Sequence, residues 1–376
     1  MIAVHLYQSP MVGESRIERS VGTLLDERIV SGAILLGTKG PGLPDREEPR
    51  PGLEILRVGG KRGKGGESLK RAFRTIGWYR AVRQALAGRT IDLVNCHAVT
   101  LLPLCAEIAA RHGARLIYDT HELETETYYS RGARKLALKF VERSLIRRVH
   151  HTFVVGPRIA EWYRREYGIE PTVVRNMPVR KPLPEGGGEM RGRLGIPAGE
   201  PVFLYLGKIA SGRGIEKSIE IFAKAPGRHL VIMGDGEMVP SVVEAARRHP
   251  NIHYHPPVPS KQVTAEAMAA DVGIFLSRRT CLSYEYSCPN KFFEYLQAGL
   301  PVMVTDNFIE QADIIRAHGA GWVVSQDPAE AARLITSLEP GRIRDAAARA
   351  KECAVNYHWE VDRKVLVDAY RGFLGR

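Results

Sequence analysis

Cysteine is scarce in this chain. Five residues (Cys96, Cys105, Cys281, Cys288, Cys353) are spread over 376, and no two form a Cys-x-x-Cys pair. That spacing excludes a zinc ribbon or thioredoxin-like motif and gives no disulfide framework, so reduced, mostly buried thiols in a cytosolic protein are expected. Long apolar runs are missing too. The longest interior stretch without Lys, Arg, Asp or Glu, Leu93 to Ala106, contains His97 and is shorter than the roughly 18 residues a membrane span needs. The first residues, MIAVHLYQSP, lack a basic segment followed by an apolar one and read as a first strand instead of a signal peptide. Acid is in short supply: 42 Asp+Glu stand against 54 Lys+Arg, a net charge of +12. Such an excess points to an anionic partner, whether nucleic acid, a phosphorylated substrate or an acidic membrane face. With 44% apolar and 26% charged residues the chain is globular, and its length suits two domains.

Short apolar runs alternate with helical patterns. Strands are predicted at Ile2–Tyr7, Ala33–Leu36, Glu54–Val58, Ile91–Asn95, Arg115–Tyr118, Thr152–Val155 and Thr172–Val174. Leu69, Phe73, Ile76, Tyr79, Val82 and Leu86 recur at helical spacing and predict one buried helix face. Residues 176–199 are dense in Pro and Gly without a periodic apolar face, a linker composition. Beyond them the alternation restarts at Val202–Leu206, His229–Met233, Ile252–Tyr254, Val272–Leu276, Val302–Thr305 and Trp322–Val324. Strand and helix in alternation imply parallel sheets covered on both faces. The expected architecture is α/β, two Rossmann-like doubly wound domains facing across a cleft, with ligands at the carboxyl ends of the strands.

The second half carries the chemistry. Phe203–Leu206 leads into Gly207-Lys208 and then Arg213-Gly214 at a helix start, two cations beside free helix N–H groups, which suits a diphosphate. Gly234-Asp235-Gly236 follows the next strand, where glycine lets backbone come close to a ligand or simply makes a turn. In PNKFFEYLQAG, Pro289 opens a helix, Asn290 and Lys291 sit at its exposed start, and Glu294 lies one turn on, placed to accept from ribose hydroxyls while Lys291 meets phosphate.

Together these segments resemble the GT-B-fold glycosyltransferases, most closely the retaining, nucleotide-sugar-dependent class called family 4. The resemblance runs over nearly the whole chain: SRIERSVGTLLDERIV is similar to that family's first helix, and CHAVTLLPLCAEIAA and LIYDTHELETE to the segments bearing its cleft histidines. It implies a first domain over 1–178 on the acceptor side, a linker over 179–199, a nucleotide-sugar domain over 200–356, and a terminal segment from 357, including Trp359, that crosses back. By the same resemblance, Lys208 and Arg213 hold the donor diphosphate, in the reverse of the family's usual Arg-then-Lys order. Glu294 binds the ribose, and Gly13 belongs to a glycine loop near the diphosphate. His97 contacts the sugar, with His121, Glu122 and Asp119 on the acceptor side. Tyr286 stands where the family has its first glutamate, with Glu285 one position away. No Asp-x-Asp occurs, so the metal-bridged diphosphate site of GT-A enzymes has no ligands and neither metal nor cofactor is expected. Lys208, Arg213 and helix N–H groups would meet the leaving-group charge instead. Enzymes of this resemblance retain configuration without a placed protein nucleophile, and the donor phosphate takes the acceptor's proton.

Two basic clusters remain. Lys61, Arg62, Lys64, Lys70, Arg71, Arg74 and Arg80 face only Glu67, and Lys135, Lys139, Arg143 and Arg147 recur every fourth residue on one helix face. Like charges at that spacing disfavour a helix slightly, which suggests an anionic target, an acidic membrane surface before nucleic acid. A cytoplasmic enzyme, peripheral at the inner membrane face, is the resulting expectation. A 2-epimerase-like nucleotide-sugar enzyme and a non-catalytic nucleotide-sugar binder are the alternatives. A nucleic-acid binder has no recognisable reader motif in support.

Overall fold

The computed structural model describes residues 1–59, 68–180, 182–184, 186–259 and 262–375, with 68–74 described by backbone alone. Lys61, Arg62, Lys64 and Glu67 lie outside the described residues, as do the side chains of Lys70, Arg71 and Arg74. The chain forms two compact units, Met1–Arg175 with Asp362–Arg376, and Asn176–Val361.

The first unit holds strands β1 (Ile2–Leu6), β2 (Gly32–Thr38), β3 (Arg46–Arg50), β4 (Leu53–Val58), β5 (Leu93–Cys96), β6 (Arg115–Asp119), β7 (His151–Val154) and β8 (Thr172–Val173). They lie in the order β3-β4-β2-β1-β5-β6-β7-β8. All neighbours are parallel except β3, which runs antiparallel to β4. β3 escapes sequence reading because its residues, REEPR, have no apolar alternation; exposed charge and a proline suit an unpaired sheet edge. The helix Ser68–Leu86 forms as expected, and among its described side chains the buried face keeps Val82 and Leu86 but takes Trp78 in place of Ile76. Trp78, Val82 and Leu86 are buried while Ile76 is exposed, because the Trp78 indole reaches in to donate to the Gly37 carbonyl at 3.2 Å. The terminal helix Trp359–Leu374 joins this unit from Asp362 onward. There the Tyr370 ring stacks on Phe153, Phe373 stacks on His151, and the Tyr370 hydroxyl donates to Asn95 Oδ1 at 2.5 Å.

The second unit holds β9 (Val202–Leu206), β10 (His229–Met233), β11 (Ile252–His255), β12 (Val272–Phe275), β13 (Val302–Thr305) and β14 (Gly321–Val324), all parallel, in the order β11-β10-β9-β12-β13-β14. Every residue of β9 is buried, with Val202, Leu204 and Leu206 packing into one core layer and Phe203 and Tyr205 into the other. That period of two, apolar on both faces, is what a central parallel strand requires.

Parts of the stretch 176–199 are anchored in the second unit. Met177, Met190 and Ile196 are buried in the second unit's core, and Met190–Arg193 is helical. Trp359 N donates to the Pro178 carbonyl at 2.9 Å. Three apolar anchors at irregular spacing leave no periodic signal, so composition misleads here.

Candidate functional site

In the second unit the strand order reverses between β9 and β12, the position where doubly wound sheets open a ligand crevice. The two strands pair only at Val272–Phe203 and Gly273–Leu204 and then part. The helix Asn290–Gln297 fills the gap. Tyr295, one of its buried residues, accepts from Leu206 N at 2.7 Å and donates to the Leu204 carbonyl at 2.9 Å, taking the place of the missing neighbour strand. Its ring occupies the space a side chain at Gly273 would need: a Cβ there would sit 2.4 Å from the ring. Lys291, one turn earlier, donates to the Leu206 carbonyl at 3.1 Å and lies 4.3 Å from the Tyr205 ring centroid and 4.7 Å from that of Phe275. Burial, aided by the Arg213 charge, pulls its ammonium down to about 7. Nothing in the spacing of Tyr295 betrays a hydroxyl that pairs with strand backbone.

Arg213 and Lys208 flank the loop after β9. Both side chains are exposed, and among the described residues neither makes an ion pair. The Arg213 guanidinium lies 5.3 Å from the Tyr284 ring centroid. Gly214 begins the helix Ile215–Phe222 with φ +85°, and a Cβ there would meet the Leu276 carbonyl at 2.0 Å. Glycine is therefore required to bring this helix start against the end of β12. Gly234 and Gly236 have a similar origin. Their Cβ positions would lie 1.8 Å from the Gly207 carbonyl and 2.2 Å from the Ile209 carbonyl, so the close approach they permit is to the protein's own backbone. Gly207 N donates to the Met233 carbonyl and Ile209 N to that of Asp235, tying the two loops together. Asp235 caps its own turn through Gly236 N at 2.8 Å.

Pro289 precedes the helix as its extended first residue. Asn290 Nδ2 donates to Glu294 Oε1 at 3.0 Å, which orients the carboxylate, and Asn290 Oδ1 is buried without a protein partner. Glu285 lies 3.7 Å from Arg279.

In the first unit the order reverses about β1 and β5. Gly13, in the loop after β1, has φ +72° and open space on its Cβ side. His97 follows β5, and Asp119 ends β6. His97 is only 1% exposed. Its Nε2 is 3.0 Å from His5 Nδ1, and its Nδ1 is 3.0 Å from His121 Nε2, so both ring nitrogens are engaged inside the protein. The expected sugar-contacting histidine is thus covered, and His121, with a side chain 20% exposed, is the outward member of the chain. Asp119 is held by Arg16: Nη2 donates to Oδ1 at 2.6 Å and Nε to both oxygens, while Nη1 donates to the Val174 carbonyl. Burial alone would raise the Asp119 carboxyl; Arg16 and the neighbouring His97 override it and keep it well below the usual carboxylate range. Burial lowers His121 to about 3, so the imidazole is neutral. His97, Asp119 and His121 bring ligand-type atoms within 4.8 Å of one another. Within that cluster Arg16 donates to Asp119, and the histidine nitrogens hydrogen-bond one another. Glu122 is at the surface beside it.

The basic stripe is not a free face. Lys135 pairs with Glu126, Lys139 with Glu126 at 3.1 Å and Glu166 at 3.7 Å, and Arg143 with Glu166 at 2.9 Å. Lys139 and Arg143 also lie over Trp162 and Tyr167. Arg147 falls beyond the helix Gly132–Leu145, in the turn Ile146–Arg148. The acids that neutralise the stripe come from other elements, which helix spacing alone does not show.

Two doubly wound units, each with loops gathered where its strand order reverses, define the class of two-domain Rossmann-like proteins. Sequence comparison matches the glycosyl transferase 4-like domain to residues 19–180 and the glycosyl transferases group 1 domain to residues 200–339. This chain belongs to the GT-B-fold glycosyltransferases. Comparison with curated proteins gives no match. Among solved structures the fold is similar to sucrose-phosphate synthase from Thermosynechococcus elongatus, at 17% identity and TM-score 0.81 over 100% of this chain and 99% of that one. Anabaena HepE in complex with UDP-glucose matches at 14% identity and TM-score 0.73, over 99% and 100%. WaaG, a glycosyltransferase involved in lipopolysaccharide biosynthesis, matches at 17% and 0.68 over the full length of both. No helix among the described residues is long and apolar enough to cross a membrane.

Proposed function

We propose that this glycosyltransferase is a retaining, hexosyl-type enzyme that takes its sugar from a UDP- or GDP-linked donor and works without a metal ion. Its acceptor is a glycan or lipid-linked sugar in the synthesis of cell-surface polysaccharide or glycolipid. The observation that carries this reading is the grouping of Lys208, Arg213, Lys291 and Glu294 around the carboxyl end of β9, where the sheet order reverses. Lys208 and Arg213 are exposed and, among the described residues, without ion pairs, ready for a diphosphate. Lys291 is held between two rings beside Gly207. Glu294, oriented by Asn290, accepts from the ribose hydroxyls. Anabaena HepE, seen with UDP-glucose on a similar fold, supports a nucleotide donor.

In the reaction the bond between the anomeric carbon and the diphosphate oxygen breaks with its electron pair leaving on the diphosphate. The cations stabilise that developing charge. The acceptor hydroxyl bonds to the same face of the anomeric carbon, and its proton passes to the departing phosphate oxygen. His121 and Glu122 offer hydrogen bonds to sugar hydroxyls in the first unit. His97 acts behind His121, fixing its tautomer.

Glu294→Ala tests the donor site. Losing charged hydrogen bonds worth about 1.5–3 kcal/mol predicts UDP or GDP affinity about 10–100-fold weaker in calorimetry, with an unchanged melting temperature. Unaltered affinity would remove Glu294 from the site.

A further inference from the structure

The helix Gly132–Leu145 faces solvent with the wrong side of its sequence. Ala133, Leu136, Ala137 and Phe140 occupy positions i, i+3, i+4 and i+7, one continuous stripe, and all four are exposed. Leu136 is 70% and Phe140 73% exposed. Just before the helix, Tyr129 is 76% exposed and Tyr128 is exposed too. Four of the protein's exposed large apolar side chains therefore gather within thirteen residues, where scattered single ones are the norm. The inward side of the same helix carries Glu142, whose carboxylate accepts from Tyr118, Tyr163 and Tyr167. With that charge anchored inside and the lysines paired to Glu126 and Glu166, the helix is fixed in this rotation.

From Tyr128 to Arg148 the exposed charged residues are all arginines. Arg131, Arg134, Arg147 and Arg148 are exposed, and among the described residues the last three make no ion pair, while Arg131 stacks on Tyr128. Of the nearby acids, Glu126, Glu142 and Glu166 are engaged, and Glu124 accepts from Val99 N. A helix carrying a leucine and a phenylalanine outward, with tyrosines beside them and free arginines at the margins, has the composition of an element that lies in a lipid interface. We infer that this helix and the Tyr128-Tyr129 turn dock the first unit onto an anionic bilayer surface, Leu136 and Phe140 entering the acyl boundary and the arginines meeting lipid phosphates. The cations that do this work differ from the Lys135–Lys139–Arg143 stripe, which is neutralised within the protein. The inference does not depend on the donor or on the acceptor.

The test is vesicle flotation of the full-length protein with phosphatidylcholine alone and with about 30 mol % phosphatidylglycerol added. The wild type is expected to float with the anionic vesicles and to be released by salt. Leu136→Asn with Phe140→Asn should weaken that binding about tenfold or more at unchanged melting temperature and unchanged UDP affinity. Arg134→Gln with Arg147→Gln and Arg148→Gln, which leaves the apolar stripe intact, should remove the preference for anionic over neutral vesicles. Failure of the wild type to float, or flotation of the asparagine variant equal to wild type, overturns the inference. So does a dimer in solution that the asparagine substitutions split, since the stripe would then be a protein interface.

Discussion

Lys291 is the residue whose protonation and position are most closely linked. Wedged between Tyr205 and Phe275 and repelled by Arg213, its ammonium titrates near 7 in the free protein. A bound diphosphate favours the charged form, so donor affinity should be full below about pH 6.5 and fall as pH rises, by at most about tenfold per unit, until the complex itself deprotonates. Calorimetry of UDP from pH 6 to 9 checks this; Lys291→Arg, always charged, should flatten the profile. The Arg16–Asp119 pair makes a different kind of prediction. Both partners are buried, so Arg16→Met strands a carboxylate and should lower the unfolding free energy by about 3–5 kcal/mol in urea titration. Asp119 was a legible candidate because it ends a strand beside a histidine. Arg16 and His5 were not: one sits in an ordinary amphipathic helix and the other in a first strand, and only the fold brings them to Asp119 and His97.

Among the elements, the apolar strands were readable because burial on both faces makes a continuous hydrophobic run. Val202–Leu206, His229–Met233 and Val302–Thr305 match the observed strands to the residue. Elements defined by their surroundings were not readable. β3 is a charged edge, Tyr295 substitutes for a strand, and the helix Gly132–Leu145 turns its apolar stripe outward because Glu142 is claimed by three tyrosines. At the Gly234-Asp235-Gly236 turn, glycine answers first to the protein's own backbone. Its glycines accommodate the Gly207 and Ile209 carbonyls, and that contact fixes the loop bearing Lys208. Gly234→Ala should therefore destabilise the second unit by about 1–3 kcal/mol or more, seen as a lower urea midpoint, and displace Lys208 enough to weaken UDP binding. A variant as stable as the parent would show that the loop yields at no cost.

At the scale of the molecule, the net charge of +12 divides among several tasks. Lys208, Arg213 and Lys291 gather at one strand end, Lys135, Lys139 and Arg143 are balanced by nearby acids, and Arg134, Arg147 and Arg148 border an apolar stripe. Two doubly wound units were legible from alternating strands and helices, and the motif PNKFFEYLQAG is the ground for proposing that the second takes the nucleotide. The Pro- and Gly-rich stretch between them folds into the second unit through Met177, Met190 and Ile196, anchors too irregular to announce themselves. The central claim is that the second unit takes a nucleotide-sugar donor and the enzyme breaks it with retention and without metal. Its most direct test is nucleotide release from a panel of UDP- and GDP-sugars, with crude glycan and lipid acceptors present or absent and EDTA throughout, followed by the anomeric configuration of the product. The account predicts acceptor-dependent release from at least one donor, undiminished by EDTA, giving a product with the donor's configuration. An inverted product, a reaction abolished by EDTA, or no binding of any nucleoside diphosphate would contradict it.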